Sequence, residues 1–87
     1  MAAPFGGHPR FQDYIRWALH EQGCKYQTGY SHVGKKVETF VVLENPENGK
    51  HTIEFMELEE FLTPSTVSAL DRRLGLNSPF PKLISYD

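Results

Sequence analysis

The stretch Asn45-Pro46-Glu47-Asn48-Gly49 limits what this chain can fold into more than any other. Proline fixes φ and Asn-Gly admits positive φ, so the segment reverses the chain tightly. Before it, Val37, Thr39, Val41 and Leu43 alternate with Glu38, Phe40, Val42 and Glu44. That alternation predicts a strand from Lys36 to Glu44, apolar on both faces in its middle and therefore central. After it, His51, Ile53 and Phe55 oppose Thr52, Glu54 and Met56 as a further strand. Nearer the start, Cys24, Tyr26 and Thr28 alternate with Lys25, Gln27 and Gly29, a half-buried strand from about Cys24 to Tyr30. Three successive strands make an antiparallel meander.

The hydrophobic period is helical on both sides of the meander. Phe11, Tyr14, Ile15, Ala18 and Leu19 recur at i, i+3, i+4, i+7 and i+8 and predict a helix from Pro9 to about Gln22, ended by Gly23. Trp17 lies off the centre of this stripe, where it either widens the buried face or stays open at a contact surface. Thr63 as N-cap, Pro64 in the first turn, the stripe Val67, Leu70 and Leu74, and Gly75 after it predict a second helix from Pro64 to Leu74. Glu57 to Leu62 is compatible with a helical turn or with an extension of the third strand.

The expected fold is α+β: helix, three-stranded antiparallel β-sheet, helix (αβββα), in two layers. At 87 residues one domain is the limit, and an apolar fraction of 39% with 13% aromatics suffices for a core. The expected core is Ile15, Leu19, Val41, Ile53, Phe55, Val67 and Leu70, with Val37 and Leu43 on the same face of the central strand as Val41. Residues 1–8 read as a flexible tail and 9–87 as the domain. In the segment 77–87, Phe80, Leu83, Ile84 and Tyr86 are too apolar for a free end and are expected to pack on the domain.

The charges exclude some functions. A net charge of −2 and a pI near 6.0 argue against strong nonspecific binding to nucleic acid. The distribution is uneven: Lys25 to Lys36 holds Lys25, Lys35, Lys36 and His32 and no acid, whereas Glu38 to Glu60 holds seven glutamates against Lys50 alone. A single cysteine, Cys24, excludes an internal disulfide and a multi-cysteine zinc site. With no basic segment followed by an apolar run and no long apolar stretch, the expected location is the cytoplasm, away from membrane.

Of the four histidines, none has the spacing of a metal site, and no cofactor is expected. His32 is the best candidate acid/base because it falls in a hairpin loop among Lys25, Lys35 and Lys36, cations that suit a phosphodiester. Ser31 beside it is no nucleophile partner, since neighbours in an extended chain point apart. The other candidate surface is the second face of the sheet, where Phe40 and Val42 suit stacking or a protein partner. The segment from Phe80 to Tyr86 is the expected cover of that face, and an open face is the alternative.

The turn Asn45 to Gly49, the strand Thr52-Ile53-Glu54-Phe55, and the run Leu62-Thr63-Pro64-Ser65-Thr66-Val67 through Leu70 to Leu74-Gly75-Leu76 together resemble the second half of a HicA-type toxin domain. The resemblance spans about residues 9–76 and implies a double-stranded-RNA-binding-like αβββα fold, mRNA cleavage by a histidine, and a small antitoxin partner. In that family the histidine belongs to a Gly-Ser/Thr-His motif on the strand before the turn. Here that position holds Glu38-Thr39-Phe40, and Tyr30-Ser31-His32 lies about eight residues earlier.

Two functions follow as expectations. The first is a small non-enzymatic protein-interaction or regulatory module binding a protein partner or a second copy through the sheet face and Trp17. The second is a HicA-like RNA-binding protein or ribonuclease with His32 in the catalytic role.

Overall fold

The computed structural model describes residues 8–83. In chain order the elements are α1 (Phe11–Gln22), β1 (Lys25–Val33), β2 (Lys36–Glu44), β3 (His51–Glu54) and α2 (Pro64–Leu74). The three strands form one antiparallel sheet in the order β1-β2-β3. Phe11, Tyr14, Ile15 and Ala18 of α1 and Val67, Leu70 and Leu74 of α2 join Val41 and Leu43 of β2 in one core. Both helices therefore cover the same sheet face, and the expected two-layer αβββα architecture is present.

Polar groups at the element ends find partners in other elements. The first amides of α1 donate to the strap after β3, Phe11 N–H to Glu60 O and Gln12 N–H to Leu58 O, both at 2.9 Å. The strap's Leu62 N–H returns a bond to Pro9 O at 2.7 Å. Residues 57–62 do not continue β3 and form no helix; they hold a single turn, Glu60 N–H bonding Glu57 O at 3.1 Å, and their carbonyls serve helix amides that lack intrahelical partners. At α2, Thr63 Oγ1 accepts from Thr66 N–H, and Gly75 closes the C-terminus at φ 66°. The β2–β3 turn docks there, with Asn45 Nδ2 and Asn48 Nδ2 donating to Leu74 O at 3.0 and 3.2 Å.

Register overturns the expected face of β3. Asn45 N–H donates to Lys50 O at 2.8 Å, and the ladder pairs Leu43 with Thr52, Val42 with Ile53 and Val41 with Glu54. An odd-numbered residue of β2 thus faces an even-numbered residue of β3. With Val41 and Leu43 in the core, Thr52 is buried, while Ile53 and Phe55 are 52% and 56% exposed and outside the core. β3 ends at Glu54, short of the expected Phe55 and Met56.

Two further expectations change with the length of the first hairpin. β1 runs to Val33 and turns through Gly34-Lys35 alone, so His32 is a strand residue, not a loop residue. The hairpin outreaches the helices, and Val37, though on the core side of β2, is 56% exposed. Leu19 is half-buried at the edge of the core.

As far as residue 83 the C-terminal segment packs against the helices, not the second sheet face. Phe80 is buried, its ring 5.7 Å from that of Tyr14 and 6.0 Å from that of Trp17. Leu83 N–H bonds Ser68 Oγ of α2 at 2.9 Å. The covering expected of residues 80–86 is corrected for 80–83; Ile84 and Tyr86, like the expected tail up to residue 7, lie outside the described residues.

Candidate functional site

The open face of the sheet follows from alternation. With Val41 and Leu43 in the core, Phe40 and Val42 project to the other side, and the ladder sets Ile53 beside Val42. The Phe40 ring lies 5.9 Å from that of Phe55. In the other direction it spreads over Gly29, its cross-strand partner, where any Cβ would collide with it. The result is an aromatic ridge running across the sheet from β1 to the end of β3. Lys25 and Glu44 pair at one end of this face.

The ladder separates the residues considered for catalysis. His32 pairs with Val37 near the hairpin tip, whereas Lys25 pairs with Glu44 at the other end of β1. Seven residues of strand put Lys25 roughly 23 Å from His32. Lys35 sits in the turn and Lys36 opens β2, so these two share the tip with His32. His32 and Lys36 occupy opposite faces of the hairpin, because His32 is level with Val37 and Lys36 is its chain neighbour. Trp17 stands in the helical layer with its ring 5.6 Å from that of Tyr14, on the other side of the sheet from Phe40 and Val42. The candidate binding residues therefore do not form one surface.

A polar centre lies where α1, α2 and the C-terminal segment meet. The buried carboxylate of Asp71 accepts from Tyr14 Oη at 2.7 Å, from Ser78 N–H at 3.0 Å, from Ser78 Oγ at 2.9 Å and from Lys82 Nζ at 2.7 Å. Burial, and then the hydrogen bond to this carboxylate, hold the Tyr14 phenol far above its ordinary pKa. Four donors on one carboxylate make a structural clamp, Oδ1 accepting one of them and Oδ2 the other three. Cys24 is buried at the foot of β1, its thiol pushed up first by burial and then by the charge of Glu47. Among the described residues no three histidine, cysteine or acidic side chains are grouped as a metal ion would need.

A groove of about 380 Å³ lies where β3 stops short of the hairpin, lined by Val37, Glu38, Thr39, Phe55 and Glu57. Ile53, Phe55 and this groove escaped the sequence reading. The turn carried the missing signal, since a loop of four residues between Asn45 and Lys50 reverses the parity of the facing strands.

No protein-family model matches the chain, and no curated protein or solved structure matches it at a significant level. The element order and two layers give it the shape of a double-stranded-RNA-binding-like domain. No described helix is long and apolar enough to cross a membrane.

Proposed function

We propose that this domain is a non-enzymatic protein-interaction module that binds through the open face of its sheet. The observation that carries the reading is the exposure of Ile53 and Phe55, 52% and 56%, beside Phe40 and Val42 on a face that neither helix covers. Several apolar side chains grouped on one face are what a protein partner desolvates, and a rigid sheet presents them without a large ordering cost. His32, by contrast, has no hydrogen-bond partner among the described residues to fix its tautomer or aim it.

The test compares wild type with Ile53→Glu and Phe40→Ser, and with Arg72→Glu on α2 as a control, in affinity capture and in sedimentation. Loss of one captured protein, or of self-association, in both face variants and not in the control supports the reading. Identical behaviour of all four proteins sinks it. The second reading, a HicA-like RNA-binding or RNA-cleaving protein, is favoured by the acid-free tip that holds His32, Lys35 and Lys36. It calls for salt-sensitive RNA binding and for cleavage lost in His32→Ala.

A further inference from the structure

Besides the outer edge of β1, the first hairpin leaves a stretch of β2 backbone with no partner among the described residues. Val33 and Lys36 flank a two-residue turn, so they exchange hydrogen bonds, as do Ser31 with Glu38 and Gly29 with Phe40 further along the ladder. Val37 and Thr39 therefore direct their N–H and C=O groups away from β1. The same parity carries Val41 and Leu43 to β3 and Asn45 N–H to Lys50 O. But β3 pairing stops at Val41, and Val37 and Thr39 have no backbone partner among the described residues. The vacant lane beside them is the groove lined by Val37, Glu38, Thr39, Phe55 and Glu57. An unpaired edge of this kind is a template for another strand.

We propose that the occupant of this lane is the same stretch of a second copy, β2 pairing antiparallel with β2 about a two-fold axis at Val37. The inference rests on reading the domain as a protein-interaction module and names its partner. Charge chooses the register. With Val37 opposite Val37 of the copy, Lys36 faces Glu38 of the copy and Glu38 faces Lys36, two opposite-charge pairs generated by one symmetry axis. The next register compatible with the bonding parity sets Glu38 against Glu38, a like-charge pair. In the Val37 register Lys35 of the copy faces Thr39, and the copy's hairpin turns away there, where Phe55 and Glu57 close the lane. Glu57 has no cationic partner within its own chain among the described residues, and the turn brings it Lys35 of the copy. The lane is as long as the segment that fills it, so the contact closes on itself as a dimer with no further edge of β2 to extend it.

Sedimentation equilibrium of the full chain over a wide concentration range reads the result. Wild type should dimerise, and Lys36→Glu should weaken the dimer by about tenfold or more, because each reversed pair counts twice. The double variant Lys36→Glu/Glu38→Lys should restore it. Val37→Pro, which removes an edge N–H that no intrachain bond uses, should give a monomer with an unchanged circular-dichroism spectrum. His32→Pro, at the free edge of β1, should leave the dimer intact. A monomeric wild type at every concentration overturns the inference, as does a charge swap that fails to rescue. A dimer abolished by Ile53→Glu but indifferent to Lys36→Glu also overturns it while leaving the open-face reading in place. A dimer broken by His32→Pro alone assigns the contact to β1.

Discussion

The clamp at Asp71 and the ridge at Phe40 and Phe55 break the same rule in opposite directions. At the clamp a carboxylate is buried; at the ridge Phe55 and its neighbour Ile53 are exposed beside the half-buried Phe40. The buried charge is compensated within the fold, by Tyr14, Ser78 and Lys82, which together tie α1, α2 and the C-terminal segment to one point. No described residue covers Ile53 or Phe55, which are 52% and 56% exposed. One exception thus holds the fold together, and the other is the surface that the proposed function uses. Mutations should separate the two, with large stability effects at the clamp and small ones at the ridge.

The largest effect should come from Asp71→Ala. It leaves the Tyr14 hydroxyl and the Ser78 groups without their acceptor and Lys82 with Asn77 Oδ1 alone, and breaking such a centre should cost about 3 kcal/mol. The figure is at the low end for buried pairs because the Lys82 side chain is 25% exposed. Urea unfolding measures it; a loss below about 1 kcal/mol would reduce the clamp to an ordinary surface pair. Next is Gly75→Val, about 1–2 kcal/mol, since φ is 66° and a Cβ there meets Asn48 Nδ2 at 2.6 Å. It should also loosen the Asn48 bond to Leu74 O, visible as faster amide exchange in the β2–β3 turn.

Tyr14→Phe is a milder change within the clamp, because Asp71 retains three of its four bonds. The expected loss is about 1.5 kcal/mol. The pH dependence has a definite sign. The unfolded phenol ionises near its ordinary pKa of about 10, whereas the folded one holds its proton well above that. Stability is therefore level on this account up to about pH 10 and falls above it, as the unfolded state releases a proton the folded state keeps. In Tyr14→Phe that alkaline fall should be shallower. An equal slope in the two proteins would remove Tyr14 as its cause.

The helices and the central strand were legible in the sequence because their signals are local: a 3.6-residue stripe, Thr63-Pro64 ahead of one helix and Gly23 or Gly75 behind each. The clamp left a trace too, since Asp71 sits on the buried stripe with Val67, Leu70 and Leu74, where an acid demands a partner. Its donors, 57 residues away at Tyr14 and seven away at Ser78, are set by packing that no spacing reveals. The face of β3 was misread because Ile53 and Phe55 look like core, and their alternation outweighed the register imposed by the turn. For the same reason the candidate site was only half legible. Phe40 and Val42 were visible as the second face of β2, but their neighbours on β3 were assigned to the core. The separation of Lys25 from His32 depends on β1 continuing through Gly29 to Val33, a continuation that Gly29 and the expected loop concealed.

The smallest expected effect is the most informative about that error. Phe55 as a core residue would cost roughly 3–5 kcal/mol on truncation to alanine, enough to unfold much of a small domain. In the structure Phe55 is 56% exposed and its ring lies 5.9 Å from that of Phe40, with the buried core on the far side of the sheet. Phe55→Ala therefore removes one aromatic contact and little buried area, and should cost about 1 kcal/mol or less. Phe40→Ala should cost somewhat more, because its ring also covers Gly29 and the backbone of β1. The double variant tests the contact itself: if the rings stabilise each other, its loss should be smaller than the two single losses added, by about 0.5–1 kcal/mol. Strict additivity would mean that the two rings stand side by side without interacting. A Phe55→Ala protein that unfolds outright would place Phe55 in the core, invert β3 and remove the ridge altogether.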